Sequence, residues 1–162
     1  MPALAQINVA RGRWPIDDPR MAGFVARLDR VNAAAEAHDG FLWRFRTETG
    51  NATDYVFDPR DPRLILNMSV WRDVEALHRF TYRQADHMEA FRKRGDWFEK
   101  MDEPALALWW VEAPPWPDPA KGLARLALLR KKGPSPRAFS LKRRFAPDGA
   151  EIVPQAKSRQ PA

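Results

Sequence analysis

The order of the hydrophobic periods along the chain restricts its fold more than any other feature. Residues 4–10 alternate, with apolar side chains at the odd positions and Gln6 and Asn8 on the other side, which predicts a first strand. Asp18 then marks a helix start as the N-cap before a first-turn proline, and Gly40 can supply the left-handed cap at the helix end. Between them, apolar residues recur at helical spacing, at Met21, Phe24, Val25, Leu28, Val31 and Ala35. The chain is therefore predicted to begin with a strand and an amphipathic helix.

Three further strands are predicted from short runs. Residues 41–47 (FLWRFRT) place aromatic side chains on alternate positions. A polar stretch at 48–63, with Gly, Asn and Asp-Pro turns, predicts a loop, and residues 64–71 (LILNMSVW) resume a strand with one apolar and one mixed face. Residues 106–111 (LALWWV) are short, apolar and bounded by prolines, as expected of a buried strand.

A second helical segment lies between the third and fourth strands. Asp73 can cap it, and the apolar positions that follow predict a helix that breaks near Tyr82 and Arg83. The complete order is β-α-β-β-α-β, which is typical of a ferredoxin-like α+β fold with a four-stranded antiparallel sheet and both helices on one face. Because the other face would then expose large apolar side chains to water, we expect the chain to form a homodimer.

The C-terminal part is predicted to extend this domain. A Pro-rich connector at 113–119 precedes apolar residues at helical spacing in 121–132, and residues 139–145 (FSLKRRF) can form a short added strand. We therefore assign residues 1–145 to one domain that includes a C-terminal helix, and residues 146–162 to a basic, disordered tail. A chain of 162 residues with 44% hydrophobic content suffices for one domain with a full core.

The net charge of +6 is concentrated towards the C-terminus. Residues 1–117 carry 16 Lys and Arg against 18 Asp and Glu, whereas residues 118–162 carry 11 against 3. No basic run has the aromatic interleaving or motif spacing of a nucleic-acid reader. Non-specific attraction to polyanions stays open, but we expect no specific nucleic-acid partner.

Composition argues against several classes of function. Without cysteine the chain can form no disulfide, thiolate nucleophile or Cys-ligated metal site, and its three histidines are too scattered to predict a metal site. It has no apolar run of the ~18 residues that span a bilayer and no secretory signal, so we expect a cytoplasmic protein without a membrane span. We find no phosphate-cradling Gly-rich loop, nucleophile elbow or internal repeat in the sequence.

Most of the chain resembles a bacterial family, the domain of unknown function 3291, in the dimeric α+β barrel superfamily that also contains antibiotic-biosynthesis monooxygenases. The resemblance covers about residues 3–141 and implies a ferredoxin-like barrel dimer with a small-molecule cleft between sheet and helices. The matching segments are LAQINVAR, DDPRMAGFVARLDRVNAAAE, GFLWRF, NMSVW, VEALHRFTYR, HMEAFRKRGDWF, LALWWVEA and GLARLALLRKKGPSPRAFSL.

The resemblance also implies the chemistry. We expect a monooxygenase-like protein that oxidises a small aromatic or quinonoid molecule without a cofactor. Haem binding or degradation, a non-oxidative cyclase or isomerase, and a non-catalytic ligand-binding dimer are the alternatives. In haem-degrading relatives an asparagine on the first strand, a tryptophan on the third and a histidine on the second helix converge on the cleft. Asn8, Trp71 and His87 lie on the corresponding elements here and are the predicted catalytic residues.

His87 is the candidate with the sharpest chemistry. A neutral imidazole near pH 7 can act as a general base or as an axial haem ligand. The helical pattern places His87 near the inner side of its helix. A histidine that is only hydrogen-bonded at a helix edge is the competing interpretation.

Polar and aromatic side chains complete the predicted cleft. Asn8, Asn67 and Ser69 would be costly to bury without partners. They therefore either orient a phenol, quinone or carbonyl in a wet cleft or bond to neighbouring strands. Asn67 and Ser69 are predicted to bind substrate together with three aromatic residues, Trp43, Tyr82 and Trp109. Each of these aromatics has an alternative place in the core or in the dimer interface.

Overall fold

A computed structural model describes residues 1–153, apart from the side chain of Asp86. It contains four main strands, β1 (Ala3–Arg11), β2 (Phe41–Arg44), β3 (Leu64–Trp71) and β4 (Leu106–Val111). They form one antiparallel sheet in the order β2-β3-β1-β4. With helices in the first and third connections, this is the predicted β-α-β-β-α-β arrangement. The ferredoxin-like α+β fold class is therefore confirmed.

The described chain has four α-helices, α1 (Ala22–Glu36), α2 (Val74–Arg83), α3 (Ala85–Trp97) and α4 (Pro119–Lys132). Asp18 caps a single 3-10 turn at Pro19–Met21 that leads into α1. Asp73 caps α2 by accepting the backbone N–H of Ala76, as predicted. The predicted helix break occurs at Gln84, which ends α2 and caps α3. Within residues 1–153, no helix has the length and apolar character needed to cross a bilayer.

Helices α1 and α2, with α3 packed against both, form a layer over one face of the sheet, which we call the helix-facing side. On β1 this side carries Leu4, Gln6 and Asn8. Its buried apolar residues are Leu4, Ala35, Trp71, Val74, Ala76, Leu77, Phe80, Leu108, Phe139 and Phe145. The tight packing on this side is therefore concentrated at the end of the sheet where β3 leads into α2.

Helix α4 covers the opposite face, which we call the second face. Its buried residues from the sheet and α4 are Ala3, Ala5, Ile7, Val9, Leu66, Met68, Val70, Ala107, Trp109, Leu126 and Leu129. Gly122 lets α4 approach closely, because a Cβ at this position would lie 2.9 Å from Cδ1 of Ile7 and from Cε of Met68. The loop between β2 and β3 adds Tyr55, whose ring meets that of Phe45 edge to face at 5.2 Å.

This coverage changes the argument for a dimer. The sequence predicted that the face opposite the helical layer would need a second chain, but α4 and the β2–β3 loop of the same chain occupy much of it. Trp43, Trp116 and Leu128 are half-buried against this core. Homodimerisation stays a prediction, and less apolar surface is left to drive it than the sequence alone indicated.

The segment after α4 returns along the outer edge of β4. Phe139 and Leu108 exchange two backbone hydrogen bonds of 2.8 and 2.9 Å, which form a single bridge where a short added strand was predicted. The Phe139 ring is fully buried in the core of the helix-facing side. This edge of the sheet is thereby covered, and β2 forms the other edge.

A short hairpin ends the described chain. β5 (Arg144–Phe145) pairs with β6 (Glu151–Ile152). Two contacts of Phe145 anchor the hairpin. Its ring is buried, and its backbone carbonyl accepts a hydrogen bond of 2.7 Å from the indole N–H of Trp110. Residues 146–153 therefore fold where the sequence predicted a disordered tail. The rest of that predicted tail lies outside the described residues.

Candidate functional site

Four polar side chains form a row on the helix-facing side of the sheet, and we call this set the polar row. They are Gln6 and Asn8 of β1 and Asn67 and Ser69 of β3. The strand register sets Gln6 opposite Ser69 and Asn8 opposite Asn67. One register step further the row ends against Trp71, in the apolar core. The pairing of β1 with β3 thus brings Gln6 together with Asn67 and Ser69, which lie 61 and 63 positions away in sequence.

Gln6 is the centre of the polar row. Its Nε2 donates hydrogen bonds to Asn67 Oδ1 at 2.6 Å and to Ser69 Oγ at 2.7 Å. The indole N–H of Trp71 donates to the same Ser69 oxygen at 2.8 Å. Gln6 is 4% exposed and Ser69 is 7% exposed, so the bonds between them lie in the protein interior. Hydrogen bonds are strong there, and an unpaired polar group is correspondingly costly.

This network leaves two hydrogen-bonding groups unused. Gln6 Oε1 is buried and has no partner within the described part of the chain. The Ser69 oxygen accepts two hydrogen bonds, so its own hydroxyl proton is available for a further acceptor. An unpaired buried acceptor costs roughly 1–3 kcal/mol. The polar row therefore offers one acceptor and one donor to an additional polar group.

The polar row opens towards solvent at one end. Asn8 and Asn67 are both exposed, although β1 and β3 are the central strands of the sheet. Helix α1 packs loosely above the sheet, because Ala35 is its only buried residue and Leu28 and Val31 are half-buried. The helical layer thus leaves the sheet open to solvent above Asn8 and Asn67, and we call this opening the groove. Gln6 and Ser69 are buried next to its inner end.

The break between α2 and α3 positions His87. Because α2 ends at Arg83, the carbonyl of Thr81 lacks an intrahelical partner, and His87 Nδ1–H donates to it at 2.8 Å. The backbone N–H of His87 donates to the side chain of Gln84 at 2.8 Å, which completes the cap of α3. Since a carbonyl can only accept, Nδ1 carries the proton and the lone pair of the neutral ring lies on Nε2.

The charge state of His87 follows from its surroundings. Burial lowers the pKa of His87 below its ordinary value, and the hydrogen bond to the Thr81 carbonyl opposes this effect only in part. The ring is therefore neutral near pH 7. Among the described side chains, none forms a hydrogen bond with its Nε2. A neutral imidazole with a free Nε2 can accept a proton or bind a metal centre.

Aromatic rings connect His87 with the closed end of the polar row. The Phe80 ring lies between them, with centroid distances of 5.0 Å to His87 and 5.2 Å to Trp71. The Phe91 ring stacks on His87 at 6.5 Å and is partly exposed. His87 thus belongs to an aromatic cluster in the helical layer, next to the core that supports the polar row.

Residues 3–155 match the model of a protein family described as Domain of unknown function (DUF3291). The chain belongs to this family. The match extends over nearly the whole chain and confirms the resemblance that the sequence segments indicated. The DUF3291 chain matches no curated protein.

Several solved structures are similar to the DUF3291 chain at low sequence identity. A protein of unknown function from Nitrosomonas europaea is 14% identical with a TM-score of 0.49, and the match covers 73% of this chain and 97% of that one. SnoaB from Streptomyces nogalater, a cofactor-independent oxygenase, is 14% identical with a TM-score of 0.46, over 71% of this chain and 98% of that one. A dabb family protein with a ferredoxin-like fold from Mesorhizobium loti is 14% identical with a TM-score of 0.41, over 71% and 99%.

The three predicted catalytic residues of the DUF3291 chain lie at separate places around the groove. Trp71 is 1% exposed and its indole N–H is used by Ser69, so it closes one end of the groove. Asn8 lies at the open end. His87 lies in the helical layer, and Phe80 separates it from Trp71. The structure thus places these side chains in one region without bringing them into mutual contact.

The residues predicted to bind substrate are divided between the two faces of the DUF3291 sheet. Asn67 and Ser69 belong to the polar row. Trp43 and Trp109 lie on the second face, where Trp109 is 2% exposed beneath α4. Tyr82 is exposed near the end of α2. The two tryptophans are therefore placed in or beside the second core, away from the groove.

Gln6 is the candidate that the sequence analysis did not select. The alternation in β1 already placed it on one face with Leu4 and Asn8. Its importance depends on β3, because the register brings Asn67 and Ser69 within hydrogen-bonding distance. An amide flanked by apolar residues in a strand, facing the polar side of a partner strand, is the signal that could have identified it.

A second depression lies at the free edge of β2. It is open, has a volume of about 490 Å³ and is lined by Glu36, Phe41, Leu42, Trp43, Arg44 and Arg46. The Arg44 guanidinium is already engaged by the Glu36 carboxylate at 2.7 Å and by the Gly50 carbonyl at 2.8 Å. The lining of this depression contains none of the predicted catalytic residues. Within residues 1–153, no three His, Asp or Glu side chains are grouped so that they could hold a metal ion.

Proposed function

We propose that the protein is a monooxygenase-like enzyme that binds a small aromatic or quinonoid molecule in the groove and oxidises it with O₂, without a bound cofactor. The observation that carries this proposal is the state of His87, which is neutral, has its Nδ1–H committed to Thr81 and has a free Nε2. A side chain in this state is suited to remove a proton from an activated substrate near pH 7. The Phe91 ring beside His87 is partly exposed and offers apolar surface to a planar molecule.

The proposed reaction needs only the substrate, O₂ and a base. His87 Nε2 removes a proton from a methylene group that an adjacent carbonyl or phenol activates. The electron-rich carbon then reduces O₂ by forming a bond to one oxygen atom. Cleavage of the O–O bond and of the second C–H bond leaves a carbonyl, and the other oxygen departs with both protons as water. The balance is CH₂ and O₂ to C=O and H₂O, so no further reductant is consumed.

The polar row has the task of orienting oxygen substituents of the substrate. The Asn8 and Asn67 amides are exposed at the mouth of the groove and can donate to a substrate oxygen. Donors placed in this way stabilise negative charge that develops on a phenolate or enolate oxygen. Trp71 is buried at the closed end, so its role here is to exclude water.

Oxygen consumption with a panel of phenolic and quinonoid substrates tests this proposal. We expect oxygen-dependent turnover that falls at least ~100-fold in His87→Ala, the usual scale for the loss of a general base. His78→Ala is the matched control, because the His78 ring packs on the exposed Tyr82 ring at 4.6 Å instead of in the aromatic cluster of His87. Unchanged turnover in His87→Ala would remove His87 from this role. Product formation without oxygen would instead indicate a cyclase or isomerase.

Haem binding is the second candidate, and the same imidazole favours it. Metal-binding histidines usually donate the second ring N–H to a carboxylate, a backbone carbonyl or water. His87 makes this contact with the Thr81 carbonyl, so its Nε2 would be the atom that holds the haem iron. A bound haem would supply oxygen activation. A hemin titration followed by absorbance distinguishes the candidates, because a saturable Soret shift at one haem per chain that is lost in His87→Ala would favour haem binding. No specific shift would favour the cofactor-free reaction.

A further inference from the structure

The buried amide of Gln6 is incompletely paired, and this is rare in a folded protein. Its nitrogen makes two hydrogen bonds, to Asn67 and Ser69, whereas its oxygen has no partner within residues 1–153. Almost all buried polar groups in native structures are paired with protein or with ordered water. The two hydrogen bonds that the nitrogen donates hold the amide group in place. The unused acceptor is therefore held in a defined position.

The position of this acceptor relates it to the groove. Gln6 lies one register step inward from the exposed Asn8 and Asn67 pair, which corresponds to about 7 Å along a strand. Asn67, which accepts from the Gln6 amide, is itself exposed. The neighbouring Ser69 hydroxyl still has a proton to donate. The inner end of the polar row thus has the hydrogen-bonding capacity that complements a hydroxyl group, which is both donor and acceptor.

We propose that Gln6 Oε1 accepts a hydrogen bond from a hydroxyl group of the aromatic ligand, so that Gln6 makes the groove selective for phenols over their ethers. This inference rests on the proposed function for the class of ligand. It assigns Gln6 as the residue that recognises the ligand hydroxyl, and Ser69 as the neighbour that can donate to the same oxygen. Methylation of the hydroxyl would remove the donor and leave Gln6 Oε1 buried and unpaired.

Calorimetric titration under anaerobic conditions tests this selectivity, with 2-naphthol and 2-methoxynaphthalene as the two probes. We expect the wild-type protein to bind 2-naphthol roughly two- to tenfold more tightly, the range for one neutral hydrogen bond. In Gln6→Met, which keeps the length of the side chain and removes the acceptor, the two affinities should become equal. Asn32→Leu is the matched control, because it removes a part-buried amide hydrogen bond of 2.8 Å from α1 to Asn51 in the β2–β3 loop and should keep the preference.

Three results would overturn the proposal: equal affinity of the wild-type protein for both probes, the same preference in Gln6→Met, or no saturable binding of either probe. Equal affinities would mean that a water molecule satisfies Gln6 Oε1. A second measurement needs no variant, since the side-chain amide resonances of Gln6 should shift with 2-naphthol and not with its methyl ether. Binding without oxygen consumption would contradict the oxidation alone, and oxygen consumption without a dependence on Gln6 would contradict this inference alone.

Discussion

The two faces of the sheet differ sharply although the same strands form them. On the second face Ala5, Ile7 and Val9 of β1 are all buried beneath α4. On the helix-facing side the same strand carries Gln6, which is buried with an unpaired oxygen, and Asn8, which is exposed. The second face is therefore apolar and covered over this stretch of β1, whereas the helix-facing side changes within two residues from a polar interior to solvent.

This difference separates stability from function within one sheet. A closed apolar face gains free energy from burial, at roughly 25 cal/mol per Å² of apolar surface. A polar row with an unpaired acceptor reduces that gain, and proteins tend to keep such local violations at functional sites. We therefore expect substitutions on the second face to lower stability and substitutions in the groove to lower ligand binding or turnover.

The largest effect on stability is expected for Trp109. The sequence predicted that this residue binds substrate, whereas the structure places it in the core of the second face. Trp109→Ala should lower the free energy of unfolding by about 3–5 kcal/mol, because it removes a large buried ring and leaves a cavity. Denaturant unfolding measures this loss. Trp116→Ala is the control, since Trp116 is only half-buried at the margin of the same core and should cost less. A loss of ligand affinity in Trp109→Ala protein that remains fully folded would contradict the assignment of Trp109 to the second face.

Neighbouring residues of β3 provide the most direct test of the two faces. Met68 is 1% exposed on the second face, and Asn67 is exposed on the helix-facing side. Met68→Ala should cost about 2–5 kcal/mol of unfolding free energy. Asn67→Ala should cost less, about 1–3 kcal/mol, because it removes one part-buried hydrogen bond and takes an acceptor away from the buried Gln6 amide. Equal costs in thermal or denaturant unfolding would show that the two faces do not divide stability in this way.

Gly122 tests how closely α4 is fitted to the second face. Gly122→Leu should destabilise the protein by about 1–3 kcal/mol, because its side chain would overlap Ile7 and Met68. Gly95→Leu is the matched helical control, since a Cβ there meets nothing within 4 Å. The control should stabilise the protein by up to about 1 kcal/mol through helix propensity. If both variants change the unfolding midpoint in the same direction, α4 is not held against the sheet as described.

Much of the fold could be predicted because hydrophobic periods report directly on local burial. β3 and β4 begin and end at the predicted residues. The exception in β2 has a physical reason. A register irregularity between Phe41 and Trp43 sets Trp43 beside Val70, on the second face, while Phe41 packs with Trp71 on the helix-facing side. A strict alternation would have kept both rings on one face, and the irregularity depends on pairing with β3.

The candidate site was less predictable because it depends on contacts between distant segments. Asn67 and Ser69 stood out as polar residues in a strand, but the partner that joins them, Gln6, lies in another strand. The state of His87 depends on the carbonyl of Thr81, which is free only because the helix breaks at Gln84. Residue type suggested the chemistry, and tertiary pairing determines which atoms remain available for it.

The smallest expected effect is a pH dependence of the free energy of unfolding. It should arise on the helix-facing side of the sheet and not on the second face. Burial lowers the pKa of His87 on the helical side, whereas the buried residues of the second face include no titratable side chain within residues 1–153. Below the ordinary histidine pKa of about 6.5 the unfolded chain therefore binds a proton that the folded chain does not yet bind. The free energy of unfolding should fall as the pH decreases from about 6.5 towards the lower folded pKa. Above about pH 6.5, His87 should not change the free energy of unfolding with pH.

Denaturant unfolding of the wild-type protein and of His87→Gln between about pH 7.5 and 5.5 measures this contribution, because the glutamine cannot titrate there. We expect a shallower pH dependence in His87→Gln, and His78→Gln serves as the control for a histidine outside the aromatic cluster. The same dependence in wild type and His87→Gln would show that His87 is not held neutral by burial. That outcome would also remove the main support for His87 as a base, so this small effect bears directly on the chemistry assigned to the helix-facing side.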